Sequence, residues 1–255
     1  MSTGAYSSAY AASLADPTAF WGEAAKDIDW ITPPSTVLDD SRPPFYRWFP
    51  DGTLNTCYNA VDRHVAGGRA DQVAMHYDSP VTGRKESFTY ADLLGHVRRL
   101  AGALAGAGVG KGDRVLVYMP MVPEAAFAML ACARIGAIHS VVFGGFAPAE
   151  VAARIDDAKP KLILTASCGI EPSRVVPYQP FLAEGIARSE HKPDQVVLLQ
   201  REQAPAEVLD GWVDWQEFIG SPAGDAGADC VEVAATDPLY ILYTSGTTGK
   251  PKGIY

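Results

Sequence analysis

The sequence predicts an α/β fold, with a mainly parallel β-sheet and helices on its faces. Three observations lead to this prediction: short apolar runs alternate with helical patterns from about residue 87 onward, the links between them are short, and several links are rich in glycine or polar residues. Such alternation is typical of βαβ units, in which neighbouring strands run parallel. Ligands of these sheets bind beyond the carboxyl ends of the strands, so the loops that follow the strands are the first candidates for a site.

The predicted elements follow one another in a regular order. Thr89 and Asp92 resemble a capping box and open a helix. Pro123 and Pro148 each precede a helical pattern, at the position where proline fits the first turn. The predicted strands are 114–119, 138–143, 161–166, 195–199 and 239–243. The predicted helices are 89–104, 124–135, 149–158 and 181–190, with a short one at 214–219 inside an acidic, loop-like stretch that spans 204–229.

Residues 1–62 form a separate region in this prediction, because they are rich in Trp, Tyr, Phe and Pro and have little regular period. So many aromatic residues argue against a disordered tail. We therefore expect an N-terminal arm that aromatic side chains pin onto a neighbouring domain, with Trp21, Trp30 and Trp48 as packing anchors. The main domain is expected to comprise residues 63–255.

The composition is that of an ordinary globular protein, with 47% hydrophobic residues, 20% charged residues and a net charge of −9. The acidic balance argues against a nucleic-acid partner, which needs clustered Lys and Arg. No run is apolar enough to span a membrane. The first 25 residues contain no Lys or Arg, which argues against a presequence and favours a cytoplasmic protein. Cys57, Cys132, Cys168 and Cys230 are far apart in sequence and are expected to be free thiols, with no metal site.

The most informative motif is residues 244–253, which follow the last predicted strand. Its glycines let the backbone bring N–H groups close to an anion, its hydroxyls donate to phosphate oxygens, and its lysines supply positive charge. The spacing is not that of a Walker A loop, because Gly246 and Gly249 are too close together and Pro251 follows the lysine. A flexible glycine–threonine turn without a ligand is the alternative. The predicted phosphate-binding residues are Thr244, Ser245, Gly246, Thr247, Thr248, Gly249, Lys250 and Lys252.

The segment YTSGTTGKPKG resembles the phosphate loop of the adenylate-forming superfamily, and the resemblance extends over nearly the whole chain. RPPFYRWF, RVLVYMPM and LACARIGAIHSVVFGGFAPAEVAARIDDA are similar to the AMP-forming short-chain acyl-CoA synthetases, the branch of the acetyl- and propionyl-CoA synthetases. The aromatic arm is typical of that branch. The resemblance implies the N-terminal part of the large adenylate-forming domain, truncated after the phosphate loop. NTCYNAVDRH, RIDDAKPKLIL and SGTTGK look more like the propionate type than the acetate type.

The resemblance implies an acid–thiol ligase. Such enzymes use ATP to activate a short-chain carboxylate, here propionate before acetate, as an acyl-adenylate, and then transfer the acyl group to coenzyme A. The phosphate loop would hold the β- and γ-phosphates while charge develops on the leaving pyrophosphate. The Mg²⁺ ligand, the acyl pocket and the catalytic lysine would lie outside this chain, so no catalytic residue and no metal ligand is assigned within it. The expected partners are the small-molecule substrates, and the oligomeric state stays open.

Two further loops fall where this family binds coenzyme A. Phe143, Gly144 and Gly145 follow the second strand, and their glycines would admit the ligand closely; a tight turn without a ligand is the alternative, which spacing alone favours. The second loop is 167–179, where acetate enzymes place two arginines against the 3′-phosphate of coenzyme A. This chain keeps Arg174 but has Glu171 at the position of the first arginine.

Other conspicuous residues are expected to be structural. His139 is expected to be a satisfied buried histidine, His64 to start a surface helix, and Cys132 to be a small core residue. Residues 156–157, both Asp, are expected to form a solvated face with Arg154 rather than a metal pair.

Two other functions stay open. Truncated after its phosphate loop, the chain is expected to be inactive alone. It would then be a non-catalytic module that binds nucleotide or coenzyme A, or that associates with a full-length partner. An adenylation domain that loads a carrier protein is the weaker alternative, because the aromatic arm and the FGGF loop argue against it.

Overall fold

The computed structural model describes residues 4–244 and 252–254, and the chain divides into two compact units. The first unit comprises Met1–Asn55 with Glu232–Asp237, and the second comprises Thr56–Val231 with Pro238–Tyr255. All residues that the sequence predicts to bind ligands fall within the second unit.

The secondary structure is as follows. The strands, in chain order, are β1 (Leu38–Asp39), β2 (Arg47–Trp48), β3 (Thr53–Leu54), β4 (Val73–Asp78), β5 (Lys85–Thr89), β6 (Arg114–Met119), β7 (Ile138–Phe143), β8 (Leu162–Ala166), β9 (Cys168–Glu171), β10 (Arg174–Pro177), β11 (Gln195–Leu199), β12 (Trp212–Asp214), β13 (Val233–Ala234), β14 (Leu242–Thr244) and β15 (Lys252–Ile254). The α-helices are α1 (Ala5–Ala15), α2 (Pro17–Ala24), α3 (Tyr90–Gly106), α4 (Pro123–Arg134), α5 (Pro148–Ala158), α6 (Tyr178–Arg188), α7 (Trp215–Ile219) and α8 (Pro222–Ala226). Shorter helical segments are Ala25–Asp27, Tyr58–Asp62 and Val65–Arg69, of which the last two are π-helical. In the described part of the chain, no helix combines the length and apolar character needed to cross a membrane.

In the first unit, α1 and α2, which the sequence did not predict, precede a region held by aromatic contacts. Trp30 packs on Phe49 with ring centroids 5.5 Å apart, and its Nε1 donates to a backbone carbonyl at 2.8 Å. Trp21 and Trp48 pack edge to face at 6.3 Å, and both stay exposed. Trp30 therefore anchors this unit most firmly. The docking of the arm on a neighbouring domain stays a prediction.

In the second unit, five strands form a parallel sheet in the order β12-β11-β8-β6-β7. This confirms the predicted α/β fold with a mainly parallel sheet. Helix α4 connects β6 to β7, α5 connects β7 to β8, and α6 precedes β11. Because the strands are parallel, β7 and β8 end at the same edge of the sheet, where the two predicted coenzyme A loops begin.

The sheet is covered on both faces by hydrophobic clusters. Val115 and Val117 of β6 join the cluster to which α3 and α4 contribute, whereas Leu116 and Tyr118 join the cluster to which α5 and α6 contribute. This alternation is the two-residue period of a strand that is buried on both faces. Each fully buried aliphatic side chain contributes about 1.5–3 kcal/mol of transfer free energy, so the two clusters hold the strand ends in place.

Local sequence signals place the helix starts. The Thr89 hydroxyl accepts a hydrogen bond from the backbone N–H of Asp92 at 3.1 Å, and the Asp92 carboxylate accepts from the backbone N–H of Thr89 at 2.9 Å. This is the predicted capping box, which satisfies two N–H groups that a helix start leaves free. Pro123 and Pro148 are the first residues of α4 and α5, as predicted.

Within the second unit, four regions differ from the predicted elements. The β4–β5 hairpin lies where the sequence assigned no strand. The predicted loop 167–179 is a hairpin of β9 and β10 that leads into α6. The acidic stretch 204–229 contains β12 and α8 besides the predicted short helix. The predicted last strand, 239–243, makes an isolated bridge to β7 through Tyr240, and its strand residues are 242–244 because they pair with β15.

Candidate functional site

The predicted phosphate loop begins and ends on the hairpin of β14 and β15. Thr244 lies directly opposite Lys252 in this antiparallel pair, and both residues are exposed. The hairpin therefore brings the two ends of the loop side by side and leaves both residues accessible to a ligand. The other predicted phosphate-binding residues lie outside the described residues: Ser245, Gly246, Thr247, Thr248, Gly249 and Lys250.

Helix α5 holds this hairpin through Tyr243. The Tyr243 hydroxyl donates a hydrogen bond to Oδ2 of Asp157 at 2.8 Å. Burial, reinforced by this bond, raises the pKa of Tyr243 above its usual value, so the hydroxyl keeps its proton. The backbone of Gly253 passes so close that a Cβ there would lie 3.1 Å from the same oxygen. These contacts fix the stem of the predicted phosphate loop to α5.

Arg154 lies one helical turn before Asp157 and contacts the neighbourhood of both predicted loops. Its guanidinium carbon is 5.3 Å from the ring centre of Tyr243 and 4.6 Å from that of Phe146, which follows the glycine loop. Its Nη1 also pairs with Glu150 at 2.9 Å, and 9% of the side chain is exposed. A guanidinium over an aromatic face is attracted by the ring quadrupole, more strongly where water is excluded. Arg154 therefore connects the phosphate-loop stem with the glycine loop.

The prediction that residues 156–157 form a solvated face with Arg154 is wrong for Arg154, whereas Asp157 is exposed and Asp156 is half-buried. Arg154 is buried, and both carboxylates have specific partners. Asp156 accepts a hydrogen bond from the backbone N–H of His191 at 2.9 Å, and Asp157 accepts from Tyr243. The sequence could not show this because both partners are distant along the chain.

The glycine loop is shaped by Tyr118, at the carboxyl end of β6. Phe143 ends β7, and Gly145, two residues later, has a φ of +99°, a conformation that side chains disfavour. The N–H of Gly145 donates to the Tyr118 hydroxyl at 3.2 Å, and this hydroxyl donates to the carbonyl of Phe146 at 3.1 Å. Burial raises the pKa of Tyr118, so the hydroxyl stays protonated and can make both bonds. These two hydrogen bonds of Tyr118 hold the backbone of the glycine loop in place.

The glycines of this loop serve two different purposes. A Cβ on Gly144 would lie 2.3 Å from the Tyr178 ring, and one on Gly169 would lie 2.2 Å from the Tyr178 hydroxyl oxygen, whereas one on Gly145 would meet nothing within 4 Å. The space at Gly144 is therefore occupied by the protein's own tyrosine, and only Gly145 faces open space. Burial raises the pKa of Tyr178 to about 12, and the sequence does not predict this residue as part of the site. A tyrosine between two distant glycines leaves no local signal.

Glu171 and Arg174 face one another across the β9–β10 hairpin. The Arg174 Nε donates to Oε2 of Glu171 at 2.8 Å, and 69% and 48% of the two side chains are exposed. The hydrogen bond with Glu171 raises the pKa of Arg174 further above its usual value. Because Tyr178 contacts both Gly144 and Gly169, it brings this hairpin and the glycine loop together. The exposed guanidinium is open to solvent, and Glu171 is its partner in the structure.

The structure shows the surroundings of the three residues that were expected to be structural, namely His139, Cys132 and His64. His139 is buried, as expected, and burial lowers its pKa to about 4. Its Nδ1 has no hydrogen-bond partner among the described residues, so the expectation that it is satisfied is wrong. Cys132 is a core residue, and burial raises its pKa to about 12, which makes it a poor nucleophile. His64 is half-buried, lies between the two π-helical segments and packs on Tyr90 with ring centroids 4.8 Å apart.

All four cysteines are free thiols, but two of them come together in the fold. Cys57, Cys230 and Asp62 place their sulfur and oxygen atoms within 4.8 Å of one another. This grouping does not suit Mg²⁺, which prefers oxygen ligands, because it holds two sulfurs and both oxygens of Asp62 bind Arg134. No step is therefore derived through Mg²⁺ in this chain.

Two family profiles match the chain. A profile described as "AMP-binding enzyme" matches residues 62–255, and one described as "Acetyl-coenzyme A synthetase N-terminus" matches residues 6–60. Together they account for both regions that the sequence separates.

Individual proteins resemble the chain over nearly its whole length. It is 50% identical over 253 residues, 98% of the chain, to acyl-CoA synthetase short-chain family member 3, mitochondrial, of Bos taurus. It is 46% identical over 249 residues, 96% of the chain, to acetyl-coenzyme A synthetase of Streptomyces avermitilis. The solved structure of acetoacetyl-CoA synthetase from Streptomyces lividans superposes with a TM-score of 0.85 and 29% identity over 98% of the chain. The chain spans 36%, 37% and 38% of the lengths of these three proteins.

Proposed function

The chain belongs to the AMP-binding enzyme family, and we propose that it is part of an AMP-forming acid–thiol ligase. The ligase activates a short-chain carboxylate with ATP to an acyl-adenylate, releases pyrophosphate, and transfers the acyl group to coenzyme A. The substrates are small molecules: the carboxylate, ATP and coenzyme A. The Mg²⁺ ligands, the acyl pocket and the catalytic lysine lie outside this chain in the proposal.

The first half-reaction uses the loop on the β14–β15 hairpin. Residues 244–250 hold the β- and γ-phosphates through backbone N–H groups and hydroxyls, and Lys250 and Lys252 offset the charge that develops on pyrophosphate. The stem supports this role. Thr244 and Lys252 are opposite one another, and Tyr243 is fixed to Asp157 at the base. The base of the loop is therefore held by contacts with α5.

The second half-reaction uses the edge of the sheet at Gly145 and Arg174. The open space beside Gly145 gives room for the pantetheine or nucleotide part of coenzyme A. Arg174 binds the 3′-phosphate in exchange for Glu171, because a phosphate offers a guanidinium more charge than a carboxylate does. Phe143 and Gly144 shape the same loop, and Tyr178 holds Gly144 and the Arg174 hairpin together.

One observation carries the proposal most directly: Arg154 contacts Tyr243 in the stem of the phosphate loop and Phe146 behind the glycine loop. The two loops are therefore neighbours on α5. A reaction that passes an acyl group from an adenylate to a thiol requires such neighbouring sites for the two substrates.

The finer parts of the proposal concern substrate, compartment and domains. Propionate is favoured and acetate is next, on the segments that look like the propionate type. For the compartment, the proposal is the cytoplasm. Residues 1–62 and 63–255 are proposed as separate domains, which the family profiles over residues 6–60 and 62–255 support.

The test uses the full-length protein that carries this sequence. It is incubated with ATP, coenzyme A and either propionate or acetate, and AMP and acyl-CoA are quantified by chromatography. We expect AMP and thioester in equal amounts, and a kcat/KM that favours propionate by about 10–200-fold, the discrimination that one methylene provides. Formation of ADP, or of AMP without dependence on the acid, would contradict the proposal. AMP that depends on the acid, without a thioester on free coenzyme A, would favour an adenylation domain that loads a carrier protein.

The isolated chain tests the non-catalytic alternative. Because the catalytic lysine and the acyl pocket are proposed to lie elsewhere, residues 1–255 alone are expected to show no ATP–pyrophosphate exchange that depends on the acid. Robust exchange by this chain would overturn that part of the proposal. Binding of ATP or coenzyme A without exchange would support a binding module.

A further inference from the structure

A buried cluster apart from the proposed site contains two thiols, a carboxylate and an arginine. Cys57 is fully buried and Cys230 is half-buried. Asp62 binds Arg134 through two hydrogen bonds of 2.8 and 3.0 Å. The same guanidinium lies 3.7 Å from the Cys57 sulfur, and the Cys230 sulfur lies 3.8 Å from Asp62. None of these residues takes part in the proposed reaction.

The surroundings of Cys57 favour its thiolate form more than the surroundings of Cys230 do. The hydrogen bond from Cys230 and the nearby Arg134 lower the pKa of Cys57, although burial acts in the opposite direction. The same hydrogen bond and burial raise the pKa of Cys230. Cys230 has a single proton to donate, and its sulfur is within hydrogen-bond distance of Asp62 and lies beside Cys57. A thiolate beside a second thiol is the arrangement that oxidation to a disulfide requires.

A metal site fits this cluster less well. Zn²⁺ binds thiolates and carboxylates, but both oxygens of Asp62 are already engaged by Arg134. The guanidinium supplies the positive charge that a metal would otherwise provide, and it would repel a cation placed between the sulfurs. The arrangement therefore points to redox chemistry of the two sulfurs.

We propose that Cys57 and Cys230 form an oxidisable dithiol, a reversible modification site that reacts with hydrogen peroxide. The Cys57 thiolate attacks one peroxide oxygen, which breaks the O–O bond, releases hydroxide and leaves a sulfenic acid. The Cys230 thiol then attacks the Cys57 sulfur, which forms the S–S bond and breaks the S–O bond of the sulfenic acid. The thiol proton joins the departing hydroxide, which leaves as water. Two thiols lose two hydrogens and two electrons, and peroxide becomes two waters.

The position of the pair in the chain suggests what the bond would do. The chain enters the second unit after Asn55 and leaves its long segment after Val231. A Cys57–Cys230 disulfide would join the two ends of that segment and close a very long loop. Cross-links that close long loops restrict the unfolded chain most strongly. Oxidation is therefore expected to raise the unfolding temperature, and reduction is expected to reverse the rise.

The experiment maps disulfides in the full-length wild-type protein. The protein is exposed to hydrogen peroxide, its remaining thiols are blocked with N-ethylmaleimide, and tryptic peptides are analysed by mass spectrometry. We expect one cross-linked species that joins the Cys57 and Cys230 peptides and is lighter than the two thiol peptides by two hydrogens. Dithiothreitol is expected to remove it and to reverse the rise in unfolding temperature.

Matched variants complete the test. Cys132→Ala and Cys168→Ala remove the other buried thiols and are expected to keep the cross-link. Cys230→Ser is expected to abolish it and to leave a Cys57 sulfenic acid that dimedone traps. The absence of the cross-link in the wild-type protein, at peroxide concentrations that oxidise free glutathione, would overturn the proposal. Protection of both cysteines from alkylation by stoichiometric Zn²⁺ would also overturn it, in favour of a metal site.

Discussion

Two ion pairs of the same type stand in opposite surroundings. Arg134 binds Asp62 with distances of 2.8 and 3.0 Å, and Arg174 binds Glu171 with distances of 2.8 and 3.5 Å. The exposed fractions are 2% and 17% for the first pair but 69% and 48% for the second. Both are two-point contacts between a guanidinium and a carboxylate. They therefore differ in exposure far more than in geometry.

The comparison shows how burial separates a structural arginine from one that is available to a ligand. Arg134 also donates to the carbonyl of Ala228. If it left Asp62, a buried charge would lose its ion-pair partner. The side chains of Arg174 and Glu171 are both exposed. When Arg174 exchanges Glu171 for a phosphate, solvent therefore screens the released carboxylate. A side chain that can change its partner at low cost is suited to ligand binding.

The largest effect is expected at the buried pair. Arg134→Met should lower the free energy of unfolding by about 3–5 kcal/mol, because Asp62 loses its ion-pair partner at a largely buried position. Urea denaturation of the full-length protein measures the change. Arg174→Met is the matched control and is expected to leave the urea midpoint unchanged. Equal losses in the two variants would show that burial does not separate the pairs.

A second effect extends the comparison to a buried group without an ion pair. The pKa of His139 falls from 6.5 to about 4 on burial, so the unfolded chain binds a proton more readily than the folded chain. The stability from the neutral imidazole is fully present above pH 6.5 and is lost as the pH falls towards 4, by up to about 3 kcal/mol. His139→Leu is expected to remove this dependence between pH 4 and 6.5, as followed by urea midpoints. The exposed His76 gives the control: His76→Leu should leave the dependence intact.

A third effect concerns the glycine loop, where the site is packed rather than exposed. Gly144→Ala should lower the free energy of unfolding by about 1–3 kcal/mol, because its Cβ collides with Tyr178. It should also raise the KM for coenzyme A more than the KM for ATP. Gly110→Ala is the control, since a Cβ there meets nothing within 4 Å and the residue has no positive φ. Thermal unfolding measures the stability of both variants, and initial rates measure their KM values. Equal stabilities and equal KM values in the two variants would contradict the packing argument.

The sequence predicted the elements that depend on local signals. The capping box at Thr89, the prolines that open α4 and α5, and four apolar runs that became sheet strands all carry their information within a few residues. The contacts that shape the site connect distant residues. Tyr178 lies between Gly144 and Gly169, and Asp157 binds Tyr243 across 86 positions. Such pairs leave no periodicity or motif in the sequence.

The same limit explains the wrong expectations. The sequence does not indicate the partners of residues 156–157, because His191 and Tyr243 are far along the chain. The hairpin of β9 and β10 lies where the sequence predicts a loop, because each of its strands has only four residues. Cys57 and Cys230 are far apart in sequence, whereas the fold brings them together.

The exposed pair gives the most direct test of the claim that Arg174 exchanges Glu171 for the 3′-phosphate of coenzyme A. The measurement is the KM of the full-length ligase for coenzyme A and for dephospho-coenzyme A, which lacks that phosphate, in the wild type and in Arg174→Gln and Glu171→Gln. We expect Arg174→Gln to raise the KM for coenzyme A by about fivefold, the size of an exposed charge contact, and Glu171→Gln to lower it. The KM for dephospho-coenzyme A should not change in either variant. Equal changes for both thiols, or none for coenzyme A, would contradict the account.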